Sequence, residues 1–232
     1  MSNLPLTFPR FEIDPTALVL YGGGGHGKTL IELVNAGGVY HWAGIIDESL
    51  IPGRQILTVP VLGGPEALGD LYARGIRLAA NGVGGIGKPE VRLRVFEVLA
   101  EAGFNCPVLV HPSAWVEASA KLEGGVQVLA QSYVSSEVQI GYGSVLNAGV
   151  IVSHDCVIGK CVNLSPGAML AGNVKVEDFA QVGMAATINL HVTIGQAARV
   201  GNGATVKADV PAATVVPAGT IWPLRGSLTT TL

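Results

Sequence analysis

The chain has 232 residues, 32 of them glycine and 13 proline, with only 13% charged residues and a formal charge of −3 at neutral pH. Disorder is excluded, because an unfolded chain needs high charge and few apolar residues whereas this one is 49% hydrophobic; collagen is excluded because no Gly-X-Y period runs through the glycines; and the charge balance supplies no basic field for nucleic acid or an anionic membrane. Cys106, Cys156 and Cys161 are too few and too irregular for a disulfide framework, the start of the chain lacks the basic and apolar regions of a secretory signal, and no apolar run approaches the roughly 20 residues of a membrane span, so a cytoplasmic protein is expected.

After an N-terminal arm (residues 1–16), residues 17–110 read as alternating strands and helices. Ala17–Tyr21 is an apolar run that stops at Gly22, and Lys28–Ala36 follows with Leu30, Ile31, Leu33 and Val34 at helical spacing. A strand over 43–46 ends in Asp47, a helix is expected over 65–74 and a strand over 77–80. An amphipathic helix over 89–102 places Val91, Val95, Val98 and Leu99 on one face, and 107–110 makes a last short strand. The alternation predicts a small parallel sheet in an α/β domain. Gly22, Gly24 and Gly27 spell G-x-G-x-x-G between strand and helix, and Asp47 lies 20 residues beyond Gly27, which is the dinucleotide fingerprint. A dehydrogenase lacks its second mononucleotide half here. The same loop suits a sugar nucleotide, because glycines admit the backbone and a helix N-terminus attracts phosphate.

From residue 111 to 216 the pattern changes. An aliphatic residue falls at every sixth position from Val116 through Leu122 and Val128 to Val206, sixteen in step, and a small or modest side chain stands two residues before each, as at Ala120, Val126 and Cys156. Glycine often follows directly, at Gly141, Gly159, Gly183, Gly195 and Gly201. A period of six fits short strands joined by corners, three to a coil, with the aliphatic residues pointing to the axis and the glycines supplying unusual backbone conformations. Residues 217–232 form a tail.

The Tyr21–Gly27 loop, the Val110-His111-Pro112-Ser113-Ala114 junction and the Ser153–Gly159 segment, in this order over Val19 to about Val216, carry a family resemblance. The chain resembles the hexapeptide-repeat sugar acyltransferases of the NeuD/PglD-like group, which include sialic acid O-acetyltransferases and nucleotide-4-amino-sugar N-acetyltransferases. The resemblance implies a Rossmann-like βαβ domain joined to a left-handed parallel β-helix, a homotrimer with active sites between prisms, and acetyl-CoA as co-substrate with no metal. It assigns His154 as general base and Asp155 as its modulator. The acceptor nucleotide sugar falls to Gly24, Gly25, His26, Asp47, Glu48 and Gly84, and Asn147 matches a polar position near the acceptor. Met184 and Asn202 match contacts to acetyl-CoA, and Asn163, also expected on the cofactor side, replaces a histidine common in the amino-sugar enzymes.

The repeat adds two expectations. His154 follows the inward Val152 by two residues and so sits near a corner, and Gly172, 18 residues on, stacks one coil beyond it. A position without a side chain would let a thioester approach, with the Gly172 N–H binding the carbonyl oxygen as it turns negative. Met184 and Asn202, also 18 apart, make a second column, and one pantetheine arm would meet both. Cys156 is expected to pack rather than react, and Cys156, Cys161 and His154 lack zinc spacing. His41 and His191 carry no partner motif. Trp222 and Arg225 lie in a tail that departs from the family's ending and either touches the adenine end of coenzyme A or caps the prism. The function expected is N-acetylation of a nucleotide-linked amino sugar, against sugar O-acetylation or non-catalytic binding of a nucleotide sugar.

Overall fold

The computed structural model describes residues 13–87 and 89–224. Its N-terminal domain holds β1 (Asp14–Tyr21), β2 (His41–Ile46), β3 (Gln55–Ile56), β4 (Val59–Gly63) and β5 (Ile76–Asn81) in the sheet order β3-β4-β2-β1-β5, with helices α1 (Gly25–Gly37), α2 (Leu68–Ala73) and α3 (Pro89–Glu101). β1 is parallel to both neighbours, β2 and β5. Alternation along it sorts two cores: Leu18 and Leu20 pack with Leu30, Ile31 and Val34 of α1, while Val19 packs with Leu68 and Leu71 of α2 and Val95 and Leu99 of α3. Each such side chain, fully buried, stabilises the fold by about 1.5–3 kcal/mol.

Four details differ from the sequence expectation. β1 begins at Asp14, inside the expected arm, where it pairs with Ile76. α1 begins at Gly25, ahead of the apolar spacing that marked it, because the Lys28 N–H already closes on the Gly24 carbonyl at 3.0 Å. β3 and β4 form an antiparallel hairpin at the sheet edge, too short to show a period. On α3 the buried stripe is also rotated: Val91 is 47% exposed, whereas Arg92 is fully buried beside Val95, Phe96 and Leu99.

From Leu109 onward the chain winds into a three-sided parallel β-helix of two-residue strands. The first face runs from Leu109–Val110 to Val215–Val216, the second from Trp115–Val116 to Ile221–Trp222, and the third from Lys121–Leu122 to Thr193–Ile194. Strands 18 residues apart stack, as Tyr133 on Ile151. The hexad aliphatics from Val128 to Val206 are buried, and so are the residues two before them, from Val126 to Ala204. Pairing carries the helix past both expected ends: Leu109–Val110 joins Gln127–Val128 rather than the N-terminal sheet, and Ile221–Trp222, in the expected tail, joins Thr205–Val206.

The corners correct one reading of the glycines. The left-handed backbone recurs every six residues, at Gly125, Gln131, Glu137, Gly143, Gly149 and Asp155 and onward, and side-chain-bearing residues often adopt it. Gly141, Gly159, Gly183, Gly195 and Gly201 stand two positions before these corner residues and are glycine for a different reason. A Cβ at Gly141 would lie 2.7 Å from the Gly159 carbonyl carbon in the next coil, and one at Gly183 would lie 2.6 Å from the Asn202 nitrogen.

The N-terminal domain rests on the outside of the first face. Gln181 Oε1 accepts from the Gly87 N–H at 3.0 Å, Arg199 Nη2 donates to the Gly87 carbonyl at 3.0 Å, and Arg92 Nε donates to the Gly143 carbonyl at 2.8 Å.

Candidate active site

The glycine loop closes the carboxyl end of β1 at the point where the neighbouring strands β2 and β5 diverge in connection, the usual place for a ligand in such sheets. Gly22 turns with φ +100°. Gly27 and Gly82 both press on the Gly22 carbonyl, so that a Cβ at either would overlap it. Gly24 and Gly25, by contrast, are exposed, and a Cβ at either would have open space for 4 Å around it. Gly24 caps α1 without a side-chain hydrogen bond, and no acid stands in the first turn. Open N–H groups and the positive end of the helix dipole therefore face outward together.

Asp47 serves this loop. Its Oδ2 accepts from the Gly23 N–H at 2.8 Å, and its Oδ1 accepts from the Ser49 N–H at 2.9 Å and the Ser49 hydroxyl at 2.6 Å. Burial pushes its carboxyl up, but the bonds from Ser49 and Gly23 outweigh that and leave it below the usual range. Asp47 and Glu48 line a cleft of about 290 Å³ with Tyr21, Ser49, Val83 and Arg94.

A second cleft, of about 450 Å³, opens between the domain and the β-helix and is lined by His26, Thr29, Gly84, Ile86, Asn147 and Asn163. Asn163 thus stands beside His26 and Asn147, away from the His154 corner, because its strand lies on the first face under the Gly84–Gly85 loop; a Cβ at Gly85 would come within 3.3 Å of the Asn163 Cβ. Asn147 Nδ2 donates to the Leu164 carbonyl at 2.8 Å and to Asn163 Oδ1 at 3.3 Å, and Asn163 Nδ2 donates to Ser165 Oγ at 3.1 Å. His26 Nε2 meets Gln127 Oε1 at 2.7 Å. Burial above all, and then the Arg92 charge, push the His26 ring down to about 4, so it is neutral at physiological pH.

His154 lies at the corner between the second and third faces. Asp155 adopts φ +58° at that corner, and its Oδ2 lies 2.7 Å from His154 Nδ1. Both side chains are about half exposed, at 57% and 51%. The imidazole lies close over Gly172: a Cβ there would meet ring atoms Cε1 at 2.5 Å and Nε2 at 2.7 Å. The bare Cα of Gly172 is thus first a seat for the ring, which the sequence expectation of space for a thioester did not include. The Gly172 N–H makes no hydrogen bond among the described residues.

The second column stands one face away. Met184 and Asn202 occupy the corner between the first and second faces, and Asn202 Oδ1 accepts from the Met184 N–H at 2.9 Å, so part of its polar capacity caps the corner. Between the two columns the second face exposes Trp115, Tyr133, Ile151 and Met169. The residues expected to act together therefore lie at two corners of one chain.

Gln127, Asn81 and Arg92 were missed in the sequence, although a charge on the apolar stripe of a helix was a signal for Arg92. Cys156 packs: its Sγ donates to the Ala171 carbonyl at 3.2 Å, and burial pushes its thiol up to about 11. Trp222 Nε1 donates to the Asp209 carbonyl at 3.0 Å at the end of the β-helix, and Arg225 lies outside the described residues. His41 sits by Asp14 at 3.4 Å at the far end of β1, and the His191 N–H donates to the Gly172 carbonyl at 3.2 Å. Among the described residues no cluster of three or more His, Cys, Asp or Glu side chains could hold a metal ion, and no helix is long and apolar enough to cross a membrane.

Residues 17–99 match the family model described as the PglD N-terminal domain. A GDP-perosamine N-acetyltransferase of Escherichia coli O157:H7 is 28% identical over 175 residues, 73% of this chain and 76% of that one. PerB from Caulobacter crescentus, solved in complex with CoA and GDP-perosamine, is 32% identical with a TM-score of 0.82, over 89% of this chain and 96% of that one. The acetyltransferase domain of PglB from Neisseria gonorrhoeae, solved in complex with acetyl coenzyme A, is 31% identical with a TM-score of 0.82, over 90% of this chain and 99% of that one. These likenesses span both domains, the Rossmann-like sheet and the left-handed parallel β-helix. With that coverage and identity, the chain belongs to the NeuD/PglD-like family of sugar acetyltransferases.

Proposed function

We propose that the protein transfers the acetyl group of acetyl-CoA to the amine of a nucleotide-linked 4-amino sugar, with His154 as general base and without an acyl-enzyme. The observation that carries this reading is the His154 ring seated on Gly172 with Nδ1 held by Asp155 at 2.7 Å. With Nδ1 donating to the Asp155 carboxyl, Nε2 keeps its lone pair for the acceptor. The acceptor amine attacks the thioester carbonyl while Nε2 takes the proton that the new C–N bond makes acidic. The oxyanion of the tetrahedral adduct falls to the free N–H of Gly172. As the C–S bond breaks, the departing thiolate recovers the proton from the imidazolium, which restores neutral His154 and releases CoA.

The nucleotide part of the acceptor falls to the open N-terminus of α1 at Gly24 and Gly25, with the loop held by Asp47, and the sugar to the cleft of His26, Gly84, Asn147 and Asn163. Glu48 borders the neighbouring cleft. Met184 and Asn202 meet acetyl-CoA along their corner. One chain separates this corner and the cleft from His154 by the width of the second face, so a second copy is needed to close the site, in keeping with a homotrimer whose exposed second-face residues meet a neighbour.

The test is free-thiol release from acetyl-CoA with a panel of nucleotide-linked amino sugars and with sialic acid. Release with a nucleotide 4-amino sugar is expected. Release with sialic acid and with none of the amines would replace this reading by O-acetylation, and turnover undiminished in His154→Ala would remove the base.

A further inference from the structure

A buried polar chain runs from α3 through the end of β5 to the β-helix and stops at His26. We propose that Arg92, Asn81 and Gln127 are positioning residues that lock His26 as the Nε2–H tautomer, leaving Nδ1 as a permanent hydrogen-bond acceptor for a hydroxyl or amine hydrogen of the sugar in the cleft. The sugar part of this inference rests on the proposed function; the lock itself does not.

The chain has one direction because its ends are chemically unambiguous. The Asn81 side chain is fixed in orientation, Nδ2 donating to the Arg92 carbonyl at 2.8 Å and Oδ1 accepting from the Val83 N–H at 3.0 Å. The Asn81 backbone carbonyl, which can only accept, receives Gln127 Nε2 at 2.9 Å and Arg92 Nη1 at 3.3 Å. The Gln127 amide is therefore oriented with its NH₂ toward Asn81 and its Oε1 toward His26. That oxygen also only accepts, so the hydrogen in its 2.7 Å contact with His26 Nε2 belongs to the ring. Asn81, Arg92 and Gln127 are all buried, which prevents water from reversing the arrangement.

A second proton on the ring is opposed as well. Arg92 lies under the Gly84–Gly85 loop, its Cδ 3.7 Å from where a Gly85 Cβ would stand. Its Nη1 donates to the Val83 carbonyl at 2.7 Å, its Nη2 finds no acceptor, and no ion pair among the described residues includes it. The groups that face His26 from the β-helix, Gln127, Asn147 and Asn163, are uncharged, and Gly84 and Ile86 bring no charge from the loop. Among the described residues no charge offsets the field of the guanidinium; the hydrogen bond to Gln127 favours the charged ring, but burial and then that field outweigh it and keep the ring neutral down to about pH 4. A buried cation without a carboxylate costs stability that an apolar side chain of similar length avoids, so its place beneath the cleft points beyond packing. A ring fixed in this way rejects a group that can only accept a hydrogen bond and takes one that can donate.

The experiment is ¹⁵N NMR of histidine-labelled full-length protein, with the His26 signals assigned by their loss in His26→Gln. Expected is a proton on Nε2 and a bare Nδ1, unchanged from about pH 8 to about pH 5.5, where an ordinary imidazole charges. Gln127→Met, of similar volume, should give mixed tautomers and raise KM for the nucleotide amino sugar about tenfold, with KM for acetyl-CoA unchanged. A proton on Nδ1, a ring that charges above about pH 5.5, or an unchanged tautomer in Gln127→Met overturns the lock. The wild-type spectrum decides the tautomer even where a variant fails to fold, and it is read without acetyl transfer, so its failure is distinct from failure of the proposed function.

Discussion

In the N-terminal domain the proposed nucleotide site rests largely on backbone: the open turn at Gly24 and Gly25, the Gly84–Gly85 loop, and a helix end held in place by Asp47. In the β-helix the proposed base is a side chain carried outward from a corner whose inward neighbours, Val152 and Cys156 around His154, are fully buried. The domain therefore mixes its binding surface with its packing, since Gly27 and Gly82 press on the same Gly22 carbonyl that shapes the loop. The β-helix separates the two, because alternate residues of each hexad belong to different environments. A change at an outward corner should alter chemistry with little change in stability, whereas a change in the domain should alter both.

The largest effect that tests this contrast is at His154. His154→Ala should lower kcat for thiol release by about 10²–10⁴-fold, with thermal unfolding unchanged; a matching loss of stability would break the proposed separation. The domain's counterpart is the acid response of His26. Its ring takes a proton near pH 6.5 when unfolded and near 4 when folded, so the unfolded state binds more protons in between. Stability should then fall as pH drops through that window, by roughly 3 kcal/mol in full, as measured by urea unfolding. His26→Gln should flatten that part of the curve, and equal pH dependence in both proteins would show that His26 has no such role.

Gly172→Ala comes next. The added methyl meets the imidazole at 2.5 Å and should displace it from Asp155, with a loss of about 10²-fold in kcat at unchanged secondary structure by circular dichroism. The smallest effect is expected at Asp47→Ala, which releases the Gly23 N–H. KM for the nucleotide sugar should rise about tenfold while KM for acetyl-CoA stays the same; a rise in both would mean that the glycine loop is not specific to the acceptor.

The two regions also differed in how far their sequence could be read. Strict hexads made the faces, the inward residues and the corner position of His154 legible, because each coil repeats the same local geometry. They concealed why particular glycines occur: Gly141 and Gly183 clear the next coil and do not turn the corner, and that depends on residues 18 positions away in sequence. In the domain, strand, loop and helix were legible around Gly22–Gly27, whereas the β3–β4 hairpin was too short to show a period. The α3 stripe was misplaced by one residue because the partner of Arg92 is not an apolar core but carbonyls at Asn81, Val83 and Gly143.

By itself the sequence determined the two-part architecture, the three-sided helix and the His154-Asp155 pair on an outward corner, since periodicity and adjacency are properties of neighbouring residues. Only the tertiary structure decided that Asn163 joins the His26 cleft, that Gly172 seats the imidazole, and that Arg92, Asn81 and Gln127 converge on one histidine. These contacts bring together segments from β5, α3 and the first face of the β-helix. Their partners are chosen by the docking of one domain on the other, which no local period encodes.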